Sequence, residues 1–317
     1  EQQLLSKEQL NGILVSKSIQ QALESLQKTS YEVDVQEVLE SRQFDPVLDA
    51  HLKRNYDEVL ELIPDASLLD VFSIRYTYHN LKVLLKSKFS GKDLKHLCVP
   101  LGRYSLDTLN QLVETQDSLD VPDIMIEGVR EAYADFENFG RLEAADVFMD
   151  RYYFKHLRLI DRTMNQEAIH QIVNIMIDME NITTLIRATK QKQSRSFLIG
   201  VLSSEGTVDK TLLIDEVHEK GTEALVDLYR HVPYYDKFVA ILEQEEYPVF
   251  ALELLKEELI HQILEEATFE PFGPLPSLAY IHALEMEVKN LRLLLVGVDN
   301  EFTEEQLRER MRPVYVS

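Results

Sequence analysis

A helical pattern recurs three times in this chain, at intervals of about a hundred residues. When the three copies are aligned on a shared asparagine, apolar residues occupy the same five positions in each: six and two residues before it, and one, four and five after it. Because a helix turns by about 100° per residue, these positions form one apolar stripe with the asparagine at its edge. The pattern therefore predicts three similar helical modules. The copies are Ile74–Lys88, Ile175–Thr189 and Leu284–Val298, and their asparagines are Asn80, Asn181 and Asn290.

The repeat extends upstream of each asparagine to an acidic residue. Asp49 and Asp150 each stand 31 residues before their asparagine, whereas Glu253 stands 37 residues before its own. The six extra residues in the third copy fit an insertion at Phe269–Pro276, which is rich in Pro and which we predict to be a loop. A spacing that changes only where one insertion explains it favours a true repeat over chance similarity among amphipathic stretches, which any helical protein offers.

Helix starts recur as well, at Ser6, Ser105 and Val208. Ser6 and Ser105 are predicted N-caps, because a serine hydroxyl can accept a hydrogen bond from an amide of the first helical turn. A period near one hundred residues is too long for the common stacked-repeat families, so the repeats are expected to be small domains or bundles. We predict three modules, residues 1–99, 100–205 and 206–317.

Composition favours an all-α fold. The chain has 317 residues, 45% of them hydrophobic, with only 10 Gly and 10 Pro, and the spacing of its apolar residues is dominated by three and four rather than two. A single cysteine, Cys98, excludes an intramolecular disulfide and a zinc site built from cysteines, and it favours a reducing compartment. No apolar run is long enough to span a bilayer. Since the chain begins at Glu1, we expect its natural start to lie upstream.

The net charge of −22 disfavours two classes of partner. Such a charge repels the phosphate backbone, so binding to nucleic acid without sequence preference is disfavoured. It also disfavours docking on anionic lipid through electrostatics alone. We therefore expect neither nucleic acid nor a lipid surface as a direct partner.

Two basic clusters stand out against this acidic background, one over residues 82–95 and one over residues 187–195. Both begin inside a repeated helix and continue past its C-terminal end, where cations stabilise the helix dipole by about 0.3–1 kcal/mol each. The alternative is that they bind a partner. Because the clusters occupy equivalent repeat positions, we define a candidate docking rim, with Arg292 from the third copy included: Lys82, Lys86, Lys88, Arg187, Lys190, Lys192 and Arg292.

Motifs for catalysis are scarce. The chain contains no GxxxxGK[ST], GxGxxG, HExxH or GxSxG pattern. Two ExxH pairs, Glu167 with His170 and Glu258 with His261, have the spacing by which helical bundles hold two iron or manganese ions. The two pairs occupy different positions in the repeat, and solvated helix faces are the simpler interpretation. We expect no catalytic residue, metal or other cofactor, and keep a di-metal carboxylate protein as an alternative.

The three asparagines require their own explanation, because asparagine is a poor helix former. We interpret them as structural, each amide bridging a neighbouring helix end or loop within its module. The expected partners are the segments that begin near Asp49, Asp150 and Glu253. Direct contact of the asparagines with a ligand is the alternative.

Several segments in this order resemble the central-stalk subunit of V-type and A-type rotary ATPases. This subunit is called C in bacterial and archaeal enzymes and d in eukaryotic ones. The resemblance covers nearly the whole chain. The segments that carry it are EQQLLSKEQL, TSYEVDV, FDPVLDAHLKRNYDEVL, ADVFMDRYYFKHL, MIDMENITTLIRATK, EMEVKNLRLLLVGV and EEQLRERMRPVYV.

The resemblance implies an all-α, funnel-like socket of three pseudo-threefold-related helical modules. It implies a non-catalytic member of a large hetero-oligomer on the cytoplasmic face of the membrane. There it would link the central shaft to the membrane rotor ring and transmit torque between ATP hydrolysis and translocation of Na⁺ or H⁺. A general helical scaffold or adaptor, with the same fold but no shaft, is the second alternative.

Overall fold

The computed structural model describes residues 4–63, 66–244, 248–267 and 275–314, and within these ranges the chain forms α-helices and short 3₁₀ turns without a β-strand. The predicted all-α fold is confirmed. Residues 269–274 of the predicted insertion loop lie outside the described residues, and Leu275 already belongs to a helix. The helices are α1 Lys7–Leu14, α2 Ile19–Gln27, α3 Val35–Ser41, α4 Asp45–Leu62, α5 Asp70–Ser90, α6 Leu106–Thr115, α7 Asp123–Phe139, α8 Ala144–Met164, α9 Glu167–Lys190, α10 Arg195–Val201, α11 Lys210–Lys220, α12 Ala224–Leu228, α13 Tyr235–Leu242, α14 Pro248–Ala267, α15 Leu275–Asp299 and α16 Glu304–Arg308.

Short polar side chains set the starts of several helices. The Ser6 hydroxyl accepts a hydrogen bond from the Gln9 amide, and the Gln9 side chain accepts one from the Ser6 amide, so α1 begins with a complete capping box. The Ser105 hydroxyl accepts from the Thr108 amide at the start of α6. Both predicted N-caps are confirmed. In the third repeat Asp209, the residue after Val208, caps α11 in the same way.

The three repeated stretches form the long helices α5, α9 and α15, and all fifteen apolar positions of the pattern are buried. The predicted stripe is therefore confirmed in each copy. The asparagines at the edge of the stripe are buried as well. Burial of a primary amide is tolerated only when its donor and acceptor are both satisfied, so each must have a polar partner inside the protein.

The contacts group the chain into two compact units. The first comprises residues 1–64 and 264–317, and within it α15 packs against α1, α2 and α4. The central helix α15 is buried on most sides, and its buried residues include the charged Glu285 and Glu287. A helix so enclosed needs polar partners for those carboxyl groups, and the hydroxyls of Tyr56 and Tyr31 supply them.

The second unit comprises residues 65–263. Within it α5, α7 and α9 each pack against α8. Gly128 on α7 allows close approach of α7 and α8, since a Cβ there would lie 2.8 Å from the ring of Tyr152. At the other end of α7, the rings of Phe89 and Phe136 stack with centroids 4.1 Å apart. The division into three modules remains a prediction.

Candidate functional site

Each repeat asparagine makes a two-way hydrogen-bond bridge to the backbone of one residue that follows its helix. The Asn80 amide nitrogen donates to the Val99 carbonyl at 2.7 Å, and the Asn80 carbonyl oxygen accepts from the Val99 amide at 2.8 Å. We call this arrangement the asparagine brace. The same pair of bonds joins Asn181 to Ser203 at 3.1 and 2.8 Å, and Asn290 to Arg312 at 3.1 and 2.8 Å.

The brace holds the segment that follows each repeated helix. The prediction that the asparagines bridge to the segments near Asp49, Asp150 and Glu253 is therefore wrong. A side-chain amide offers one donor and one acceptor in a plane, which matches the N–H and C=O of a single extended residue. Each bond contributes about 1 kcal/mol net, and a buried backbone group left without a partner costs about 1–3 kcal/mol. The three amides therefore fix the loop that leaves each repeated helix.

The three repeat acids take part in ion pairs, and each pairs with a repeated helix other than the one that follows it in sequence. In each pair the cation lies two or six residues after a repeat asparagine, on the face of its helix that is directed toward the helix with the acid. The pairing is permuted along the chain: Lys82 with Asp150, Arg187 with Glu253 at 2.5 Å, and Arg292 with Asp49 at 3.1 Å.

Burial modifies two of these acids. Desolvation raises the pKa of Asp150 above its ordinary value although Lys82 acts to lower it. The pKa of Asp49 is raised for the same reason, against the opposing effect of Arg292. Because desolvation outweighs the attraction, these ion pairs align neighbouring helices more than they stabilise them.

Five of the seven residues in the candidate docking rim have carboxylate partners within the chain. Besides the cations just described, Lys86 pairs with Asp146 at 2.7 Å and Lys88 pairs with Glu114. Lys190 and Lys192 differ, since neither has an ion-pair partner among the residues that the structure describes. Both are exposed at the C-terminal end of α9, so they are the members of the rim with charge available to a partner.

Cavities open at the C-terminal ends of both α5 and α9. The one beside α9 has a volume of about 530 Å³ and is lined by Ile186, Lys190, Val226 and Leu242 among others. The one beside α5, of about 340 Å³, includes Lys88. The two cavities occupy equivalent positions in the first and second repeats, with the α9 cavity the more enclosed of the two.

The ExxH pairs have ordinary polar partners. His170 Nδ1 lies 2.9 Å from Asp161, and Glu167 accepts a hydrogen bond from Gln171. Glu258 forms an ion pair with Lys237 at 2.6 Å. Within the ranges that the structure describes, no group of three or more His, Cys, Asp or Glu side chains is placed to hold a metal ion.

The polar cavity at the start of α9 was not anticipated from sequence. It has a volume of about 730 Å³, and Arg158 lies buried at its wall. The guanidinium donates to Asp161, to Asn174 and to the carbonyl of Glu205. The side chain thereby joins α8, α9 and the loop after α10, which is a structural function, and its neighbours in sequence, Leu157 and Leu159, gave no signal for it.

Two buried carboxyl groups were also missed. Asp178 accepts from the Thr207 amide at 2.8 Å and from its hydroxyl at 2.5 Å, and Glu287 accepts from the Leu5 amide at 2.6 Å. Each lies three residues before its repeat asparagine, on the same buried face of the helix. This shared offset was the available signal, and the Asp-x-Glu pattern around residue 179 concealed it.

Comparisons with known proteins agree over almost the whole chain. The family model for the ATP synthase (C/AC39) subunit matches residues 1–310. The C subunit of the V-type sodium ATPase from Enterococcus hirae is 32% identical, over 99% of this chain and 95% of that protein. The C subunit of the A-type ATP synthase from Methanocaldococcus jannaschii is 23% identical over 97% of this chain and 82% of its own length, and that from Methanosarcina acetivorans is 22% identical over 94% and 86%.

Among the described residues, none of the helices combines the length and the apolar character needed to cross a membrane.

Proposed function

The chain belongs to the ATP synthase (C/AC39) subunit family, and we propose that it is the non-catalytic C subunit of a V-type or A-type rotary ATPase. In this role it links the central shaft to the membrane rotor ring on the cytoplasmic face. It transmits torque between ATP hydrolysis and the translocation of Na⁺ or H⁺. The observation that carries the proposal is the family match over residues 1–310, joined to full-length similarity with the C subunits of both enzyme types.

The internal construction supports a mechanical function. A part that transmits torque must resist deformation where its helices meet its loops. The three asparagine braces fix those points with hydrogen bonds from buried asparagines, and in the first unit the pair of Asp49 with Arg292 links α4 to α15. We propose in addition that the modules 1–99, 100–205 and 206–317 form the funnel-like socket that receives the shaft.

Lys190 and Lys192 are the residues that we propose to contact another protein of the complex. Their charges are not neutralised by described side chains, and Lys190 lines the 530 Å³ cavity together with the apolar Val226 and Leu242. A cation beside an apolar recess suits a protein segment that carries an acidic residue next to an apolar one. The paired cations of the docking rim are assigned to helix alignment instead.

Co-purification tests the proposed function directly. We expect the protein, tagged at its C-terminus and extracted from native membranes in mild detergent, to travel with the subunits of an ion-pumping ATPase. Vesicles from cells that lack it should hydrolyse ATP without accumulating the ion, because the shaft no longer drives the ring. A protein that purifies without ATPase subunits, or vesicles that still pump at the normal rate, would contradict the assignment.

Charge reversal tests the contact. The variant Lys190→Glu/Lys192→Glu should weaken binding of the purified central shaft by about tenfold or more, since two attractions become repulsions. The matched control is Lys7→Glu/Lys17→Glu, which makes the same change of charge at two exposed lysines of α1 and the turn after it. Equal binding by both variants and the unmodified protein would return the two lysines to stabilising the end of α9.

A further inference from the structure

The buried carboxyl group of Glu287 holds two separate segments onto α15. Its Oε2 accepts a hydrogen bond from the Leu5 amide at 2.6 Å, and its Oε1 accepts one from the Tyr31 hydroxyl at 2.8 Å. Leu5 lies just before α1, and Tyr31 lies between α2 and α3. One side chain thus connects the middle of α15 to the N-terminal segment and to the α2–α3 turn.

The repeat shows that this contact has a specific position. Three residues before each asparagine stand Thr77, Asp178 and Glu287. In the second copy the carboxylate of Asp178 holds Thr207, in the loop that the brace also fixes. In the third copy the longer glutamate reaches Leu5 instead. The position serves in both copies to bind a backbone amide, and in the third it binds one at the opposite end of the sequence.

We propose that Glu287 is a proton-dependent clasp, which holds the N-terminal segment and α1 more tightly to α15 as the pH falls from 8 to 6. The clasp operates inside the first unit, and it stands whether or not the chain is a rotor subunit. Its effect would be to couple the docking of α1 to the acidity around the protein.

The electrostatic surroundings of the carboxyl group explain this direction. Burial raises the pKa of Glu287 to about 7, and the bonds from Leu5 and Tyr31 only partly oppose it. When the N-terminal segment is released and water enters, the pKa returns toward its ordinary value of 4.5. The docked state therefore binds more protons than the released state between these two values, so docking strengthens as the pH falls through this window and is constant above it.

Other titratable and charged groups lie on α15 and on the helices packed around the clasp. From α15 itself Tyr280 faces it, with a pKa raised to about 12 by burial. The same helix carries the buried His282 and Glu285 and the half-buried Lys289 close to Glu287 in sequence. Behind Tyr31, at 3.8 Å between ring centroids, is His51 of α4, whose pKa is lowered to about 4 by burial and by Arg54. The acidic and basic residues that α1, α2, α4 and α16 carry beyond these are exposed or half-buried: Lys7, Glu8, Glu24, Asp45, Asp49, Lys53, Arg54, Asp57, Glu58, Glu61, Glu304, Glu305 and Arg308.

Hydrogen exchange of the whole protein tests the clasp. After correction for the intrinsic rate, protection of the amides of residues 4–14 should rise about tenfold between pH 8 and pH 6, as two states with pKa values near 7 and 4.5 require. Glu287→Gln, which is neutral at every pH, should abolish that rise. The matched control is Glu285→Gln, a buried neighbour on α15 that accepts from the Tyr56 hydroxyl at 2.6 Å, and it should keep the rise.

A flat profile in the unmodified protein, or a rise that survives in Glu287→Gln, would overturn the clasp. If Glu287→Gln does not fold, Tyr31→Phe serves in its place. Loss of the hydroxyl that stabilises the ionised carboxylate must move the midpoint of the profile to a higher pH, and an unmoved midpoint would also overturn the proposal.

Discussion

The loop that follows α5 and the loop that follows α9 begin with the same brace but are held differently. In both, a glycine stands three residues after the braced residue and packs against the side chain three residues before the asparagine: Gly102 against Thr77, and Gly206 against Asp178. The Asp178 carboxylate accepts two hydrogen bonds from Thr207, and Arg158 reaches the Glu205 carbonyl. The Thr77 hydroxyl, by contrast, has no hydrogen-bond partner among the described residues.

Hydrogen bonds from three buried side chains therefore fix the loop at residues 203–207. Among the described residues, the loop at 99–103 has the brace and one outer hydrogen bond, besides the packing of Leu101 and Gly102. That hydrogen bond runs from Arg103 to Asp70, at 3.4 Å and with the arginine 42% exposed, which makes it weak. The comparison teaches that one repeated geometry can have two energetic consequences. A loop that further buried side chains hold in place cannot move away when its asparagine is removed, so its backbone groups stay buried without partners. A loop that depends mainly on its brace can move into water, where those groups find new partners.

The largest effect is expected for Asn181→Ala. The loop stays in place through Asp178 and Arg158, so the Ser203 amide and carbonyl remain buried without partners. The two unpartnered backbone groups of Ser203, together with the two lost hydrogen bonds, should lower the free energy of unfolding by about 3–4 kcal/mol. Urea unfolding followed by circular dichroism measures the loss. A cost below that of the corresponding change in α5 would break the comparison.

A smaller global effect is expected for Asn80→Ala, about 2 kcal/mol, because the freed loop lets Val99 exchange its bonds with water. The change should be concentrated locally. Hydrogen exchange of residues 99–103 should accelerate more than that of α7 and α8, whose rates should rise only as far as the lower global free energy of unfolding requires. The control is the exchange of residues 203–207 in Asn181→Ala, which should accelerate far less. Equal acceleration of the two loops would show that Asp178 and Arg158 contribute nothing to holding the second.

Local patterns in the sequence were sufficient for the helices. The apolar stripe of α5, α9 and α15 depends only on spacing within one helix, and the caps at Ser6 and Ser105 depend on residues within one turn. Both could therefore be predicted. The brace could be predicted only in part, because the buried asparagine is visible in sequence but its partner is a backbone group, which any residue supplies. Val99, Ser203 and Arg312 share no side-chain character.

The charged positions had the opposite difficulty. The acids were found by their spacing and the cations by their clustering, yet nothing local indicates that Arg292 pairs with Asp49, 243 residues away. Whether a cation binds within the chain or to a partner depends on which helices pack together. Composition leaves that open, so a docking rim and a set of internal ion pairs looked alike in sequence.

The smallest effect is expected for the ion pair of Arg187 with Glu253. Arg187 lies on α9, the helix that carries Asn181, so this pair tests whether the brace acts independently of the charges near it. Arg187 and Glu253 are 51% and 38% exposed, so their attraction is screened and contributes about 0–1 kcal/mol. Arg187→Glu should cost about 1 kcal/mol, and adding Glu253→Arg should restore most of it, as measured by urea unfolding of the single and double variants. The loop at 203–207 should keep its hydrogen-exchange rates in both variants, because the pair does not touch it. Faster exchange of that loop in Arg187→Glu would mean that the brace and the ion pair act as one unit, and the difference between the two loops would then have to be assigned to both.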